Sequence, residues 1–312
     1  MRSAGVAGEE DQMFVVIGGT GFIGSAIVKE LHGRGKPVAV VSRDAAKVDK
    51  VFPGLGIEVR TADAREPAQV LEAVRGAEGV VISLAFDNFP MEKKSAGRTF
   101  EDVDQKGAET VAGVAREAGV GYLVYLSGAG AGPEARYHWF RAKWAAEEAV
   151  RNSGVAFTII RPSWVYGPGD KSLNRMLGFG RFLPFIPVIG DGSKQKLQPV
   201  FVDDVARAVA ESFERPEAQN KTLEIGGPEV HSMDEVVRTA LEVSGRKRPI
   251  LHQPKGLMKA VASVASILPG PPLTPDGVEF ASMDAVVDNT DLQTALGIQP
   301  RSLREGLATY MA

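Results

Sequence analysis

Cysteine is absent from the 312-residue sequence. That excludes a disulfide scaffold, a thiolate zinc site, an iron–sulfur cluster and a cysteine nucleophile. It suits a reducing compartment, and a cytoplasmic location is expected. Histidine is nearly as scarce. The four residues His32, His138, His231 and His252 form no His-x-x-x-His pair, so no metal site is expected. An excess of one charge is also missing. With 36 basic against 39 acidic residues the net charge is −3, which gives no electrostatic case for a nucleic-acid partner. No run of 18 apolar residues occurs, and no membrane-spanning helix is expected. Residues 1–12 (MRSAGVAGEEDQ) have no apolar core. They read as a disordered tail and not as a signal or transit peptide.

What is present suffices for a packed fold. Hydrophobic residues make up 44%, and a chain of this length buries about three quarters of its unfolded surface without a staple. Short apolar runs alternate with helical stretches through the first half. Strand candidates are Met13–Gly18, Val38–Ser42, Ile57–Thr61, Gly79–Ala85, Tyr122–Ser127 and Ala156–Arg161. Helical patterns cover Phe22–Gly33, Glu66–Arg75, Glu101–Ala118 and Trp139–Asn152. Continuous apolar strands separated by helices predict an α/β fold, a doubly wound parallel (Rossmann) sheet covered on both faces. After Arg161 the texture becomes rich in Gly and Pro, before Val200–Phe213 and Thr222–Ile225 return to the α/β pattern. The expected division is therefore 13–161 plus 200–227 for the dinucleotide-binding part, and 162–199 plus 228–312 for a smaller C-terminal lobe. A ligand would sit between them, beyond the carboxyl ends of the strands.

Gly18-Gly19-Thr20-Gly21-Phe22-Ile23-Gly24 follows the first strand and opens the first helix, the context a dinucleotide fingerprint requires. Gly18 permits the tight turn, Gly21 lets backbone approach a pyrophosphate, and Gly24 lets helix pack on strand. The amides and the helix dipole then face the anion. The second strand ends Ser42-Arg43-Asp44. Arg43 stands where a 2′-phosphate partner is expected, which favours NADP(H) over NAD(H); Asp44 leaves the choice open if it turns outward. Asp63, beside Ala64 past the third strand, is suited to accept from an adenine amino group or to cap the next turn. Leu84, Ala85 and Phe86, past the fourth strand, are placed to run beside the cofactor ribose.

These pieces resemble the short-chain dehydrogenase/reductase superfamily in its extended, atypical branch. The resemblance rests on residues 18–24, on Arg161-Pro162-Ser163-Trp164-Val165-Tyr166-Gly167-Pro168-Gly169, and on Val202-Asp203-Asp204-Val205-Ala206. Within it, Thr99-Phe100-Glu101, Lys143-Trp144-Ala145-Ala146-Glu147, Gly190-Asp191-Gly192 and Leu197-Gln198-Pro199-Val200 resemble the group of the nucleotide-binding accessory subunit of respiratory complex I and its bacterial relatives. The resemblance implies a cofactor lined by Pro162, Ser163 and Val165, with Lys143 on the nicotinamide ribose. It also implies chemistry by a Tyr-x-x-x-Lys pair with a Ser or Thr.

Here the sequence departs from the pattern. Trp139 stands four residues before Lys143, and an indole has no proton to give near neutral pH. Tyr137, six residues before Lys143, lies about 240° around a helix. Pairing Tyr137 with Arg141 keeps the spacing but loses the lysine. Ala129 stands where the active hydroxyl is expected, leaving Ser127 as the nearest. Lys143 and Ser127 are the catalytic candidates that remain. Two expectations result. One is a cofactor-binding structural, assembly or redox-sensing protein, with a protein partner or homodimer. The other is an NADP(H)-dependent oxidoreductase or epimerase for a small hydrophobic substrate, with a non-standard proton donor. Phe179–Ile189 could line a pocket, touch a partner or pack the small lobe. Gly256–Leu268 lacks the basic face of an interfacial helix, and Arg246-Lys247-Arg248 reads as a solvated loop.

Overall fold

The computed structural model describes residues 13–86, 91–266 and 273–312; the expected N-terminal tail lies outside the described residues. Six strands follow in order: β1 (Phe14–Ile17), β2 (Val38–Ser42), β3 (Glu58–Thr61), β4 (Gly79–Ile82), β5 (Tyr122–Leu126) and β6 (Ala156–Pro162). Between them run α1 (Phe22–Gly33), α2 (Ala45–Val51), α3 (Pro67–Val74), α4 (Lys106–Ala115) and α5 (His138–Arg151). A seventh strand, Lys221–Ile225, joins β6 to give the order Lys221–Ile225, β6, β5, β4, β1, β2, β3, and every pairing is parallel. β1 lies between β2 and β4, where the strand order reverses. That reversal opens a crevice at the carboxyl ends.

The strands are apolar throughout because both faces are covered. β1 and β4 are buried at every residue, as central strands of a parallel sheet must be. One face packs α1 and the helix Val202–Glu214 around Ile27, Val28, Leu31, Val205 and Val209. The opposite face packs α3, α4 and α5 around Val70, Val111, Ala112, Ala146 and Val150. Most sequence-predicted boundaries agree within a few residues, and two elements differ. Helix α2 forms because Asp44 caps it, accepting from the Lys47 amide. The long pattern at 101–118 divides: Phe100–Gln105 takes a π-helical form, capped by Thr99, before α4 begins at Lys106.

A separate core gathers Tyr166, Leu173, Ile186, Leu197, Val236 and Leu307. Short strands knit it together: Ile186–Ile189 beside Ile250–Gln253, and Lys196–Leu197 beside His231–Ser232. Helix Thr290–Leu296 instead buries Leu292, Ala295 and Leu296 against the main core. This part of the C-terminal stretch thus packs back onto the main sheet, beside the strand Lys221–Ile225.

Candidate functional site: a dinucleotide cradle and its roof

The turn after β1 is built from close approaches that a side chain would prevent. Gly18 has φ +85°, and a Cβ there would lie 2.2 Å from the Ser83 carbonyl oxygen. A Cβ on Gly24 would lie 2.3 Å from the Gly18 carbonyl oxygen. The turn closes with the Gly21 amide donating to Gly18 O at 2.9 Å. Gly21, the N-cap of α1, is exposed and supplies no side-chain cap, and the first turn holds no acidic residue. The helix therefore begins with open amides and an uncompensated positive dipole end, the surroundings that suit a phosphate. Thr20, Phe22 and Ile23 are half-buried at this mouth. A dinucleotide pyrophosphate fits such a cradle.

At the adenosine end, Arg43 is 68% exposed, its guanidinium 3.8 Å from Asp63. Asp44 does not turn toward a ribose; it caps α2. Asp63 takes the capping role. Its Oδ1 accepts from the Arg65 amide at 3.0 Å, and the Arg65 fork holds both oxygens at 3.0 and 2.7 Å. Arg65 holds the carboxyl well below its usual range, at about 2. The carboxylate expected to accept from adenine is thus held at both oxygens by Arg65, two residues along the chain. Ala64 and Leu84 pack toward Gly107 of α4, Ala85 is exposed, and Phe86 is buried edge-on to Phe100 at 5.0 Å. Across the crevice, Pro162 accepts from the Ala129 amide and Ser163 donates to Gln198 O. Val165 pairs with Val200.

At the expected proton-transfer end, each candidate has another engagement. The Lys143 ammonium lies 2.8 Å from Asp104 and donates to Leu126 O at 3.1 Å. Burial is the largest single influence and works against its charge, but Asp104 and the Tyr125 hydroxyl together hold Lys143 above its ordinary value. Asp104 is fully buried on the π-helical segment, a form common at functional sites. Ser127 does not face the crevice as a free hydroxyl: it donates to Glu147 at 2.5 Å. Glu147 is fully buried and also receives Arg151 and the fork of Arg161. The Tyr137 phenol donates to Glu279 at 3.0 Å. Lys255 and Lys259 also reach Glu279 and hold its carboxyl at about 2. Arg141 donates to the carbonyls of Ala135 and Arg136, so it forms no shifted pair with Tyr137.

Trp139 is buried at the centre of an aromatic roof, stacked on Tyr137 at 4.5 Å and 6°. Phe86, Phe100, Phe140 and Phe280 complete the roof. Glu92, His138 and Asp276 bring three ligand-type atoms within 4.8 Å of one another, and His138 shares a 2.9 Å hydrogen bond with Glu92. No sequence spacing announces that grouping. Asp104 did leave a signal: it falls in register with Ala108, Val111 and Ala115 on the apolar face, where an acid needs a partner.

Two outcomes test this geometry. Gly18→Ala should destabilise the fold by at least about 2 kcal/mol, since it meets both a forbidden φ and backbone. Denaturant unfolding measures this, and calorimetry should show pyridine-nucleotide binding lost in parallel. The Asp63–Arg65 pair should contribute stability in full above the unfolded carboxylate pKa of about 4 and lose it as pH falls through about 2. Arg65→Ala should return Asp63 toward its ordinary value, read by NMR titration of the carboxyl carbon.

The geometry agrees with what the chain is similar to. Residues 18–216 match a family described as NAD(P)H-binding. A mitochondrial protein of Arabidopsis thaliana, named NADH dehydrogenase (ubiquinone) 1 alpha subcomplex subunit 9, is 32% identical over 80% of this chain and 62% of its own length. The mitochondrial 40 kDa subunit of the NADH-ubiquinone oxidoreductase of Neurospora crassa is 28% identical over 95% of this chain and 78% of its own length. Among solved structures, an NADPH-dependent quinone oxidoreductase from Escherichia coli shares the fold with a TM-score of 0.72, at 20% identity, covering 96% of this chain and 100% of that one. The chain belongs to the NAD(P)H-binding family, and it is similar to the mitochondrial oxidoreductase subunits named above.

Proposed function

We propose that the protein binds NADP(H) and serves as a structural, assembly or redox-sensing component without classical dehydrogenase chemistry. One observation carries this reading: a buried tryptophan, Trp139, occupies the place four residues before Lys143, and Lys143 is itself paired with Asp104. When bound, the cofactor supplies a hydride donor or acceptor at its nicotinamide. A carbonyl substrate needs a proton partner within reach of the same centre. Ser127 donates to Glu147 and Tyr137 to Glu279, which supports a structural place for both hydroxyls. Lys143 retains a role as a ribose-positioning donor, supported by its buried, fixed ammonium. Arg43 supports the preference for the 2′-phosphate, since it is exposed at the end of β2 and an arginine fork matches phosphate geometry.

The relatives are named as subunits of a larger oxidoreductase, which supports a protein partner for this chain as well, or a second copy of itself. A reducing compartment, the cytoplasm, is part of the proposal, for which a cysteine-free chain is suited. The competing reading is an NADP(H)-dependent reductase of a small hydrophobic substrate. It draws on the aromatic roof and on a relative named ceramide reductase from Caulobacter vibrioides, 29% identical over 80% of the chain.

Calorimetry with NADPH and NADH tests the cofactor. NADPH should bind more tightly, and Arg43→Ala should weaken NADPH by about tenfold or more, about 1.4 kcal/mol, and leave NADH unchanged. Equal affinities would remove the preference. Stopped-flow absorbance of NADPH mixed with protein and a panel of quinones, aldehydes and enones tests the chemistry. Decay should not exceed that of free NADPH, and turnover of any substrate would replace this reading with the reductase.

A further inference from the structure

The charges of this chain are segregated. Residues 171–190 and 244–275 contain eight Lys and Arg and no Asp or Glu. The whole chain carries −3, so everything else must carry −11. The fold brings the two acid-free stretches together. Strand Ile250–Gln253 pairs in parallel with Ile186–Ile189, and Arg248 donates to the carbonyl of Gly180 at 3.2 Å. The loop that leads into one strand therefore lies beside the loop that leads into the other.

The same stretches hold the apolar surface. Among the described residues nine large hydrophobic side chains are exposed, and six of them lie here. Phe182 is 88% exposed and Phe179 45%. Leu251 follows on the strand, and Leu257, Val261 and Val264 form a stripe at i, i+4 and i+7 on the helix Lys255–Ala265. Lys255 and Lys259 bind Glu279 on the other side of that helix, which turns the stripe outward; only Ala262 of the helix is buried. Arg175, Arg181, Arg246 and Lys247 are exposed. None of them has an ion-pair partner among the described residues.

We propose that this face docks on a membrane surface rich in anionic phospholipid. Phe179 and Phe182 enter the headgroup boundary, and the surrounding Arg and Lys side chains meet the lipid phosphates. Exposed aromatics ringed by unpaired cations are the composition of an interfacial anchor. The net-acidic remainder of the chain disfavours such a surface, so the patch also biases orientation. The basic component that helix 255–265 lacks in sequence is supplied by loops 179–182 and 246–248. Docking of this kind needs no spanning segment, and no helix among the described residues is long and apolar enough to cross a membrane. The proposal is independent of the cofactor reading.

Co-sedimentation of the full chain with phosphatidylcholine vesicles, with and without phosphatidylglycerol, tests it. Binding should require the anionic lipid and weaken as salt is raised. Phe182→Ser should lower partitioning by about tenfold or more. The double variant Arg246→Glu with Lys247→Glu, at exposed positions, should abolish it with the circular-dichroism spectrum unchanged. Equal binding to both vesicle types, retention of binding in both variants, or no binding at low salt would overturn the proposal.

Discussion

The position of Gly24 against the Gly18 carbonyl is the contact on which the rest of the molecule depends. A Cβ placed at 2.3 Å from that oxygen has nowhere to go, because the atom it meets is backbone. Helix α1 can start where it does only while the contact is bare. From that start α1 lies across the sheet at the strand-order reversal and packs Ile27, Val28 and Leu31 against the helix Val202–Glu214. The same geometry leaves the first-turn amides without an internal partner. Fold and ligand capacity thus share one steric cause.

A second constraint is the cost of burying charge. Asp104 and Glu147 are fully buried and Glu279 nearly so, and each is compensated by basic side chains: Lys143 for Asp104, Arg151 and Arg161 for Glu147, Lys255 and Lys259 for Glu279. These pairings also draw in Lys143, Ser127 and Tyr137, the groups that acid–base chemistry would otherwise use. The roof is therefore aromatic and flanked by paired carboxylates, while the Trp139 indole nitrogen at its centre is buried without a hydrogen-bond partner.

The distribution of unpaired charge is the opposite. The basic residues near Phe182 have no such compensation, and the apolar side chains among them are not folded into any core. Exposed cations without ion-pair partners interleaved with exposed apolar side chains are the combination that gives this face its meaning.

The sequence by itself determined the doubly wound sheet, the order of its elements and the cradle. Each of these is written in local patterns: continuous apolar runs, helical periodicity, and glycines at fixed offsets where a Cβ is impossible. It also shows Trp139 four residues before Lys143, where the family it resembles carries a tyrosine. Only the tertiary structure decided which partner each polar group takes. Asp63 with Arg65, Lys143 with Asp104 and Ser127 with Glu147 involve separations of two, 39 and 20 residues; the last two depend on how α5 packs against the segment Phe100–Gln105 and over the end of β5. It also decided that helix Thr290–Leu296 returns to the main sheet, and that two acid-free stretches some 60 residues apart become one face. Periodicity reports which side of an element is buried, whereas the identity of what lies against it is set by packing between segments that have no spacing in common.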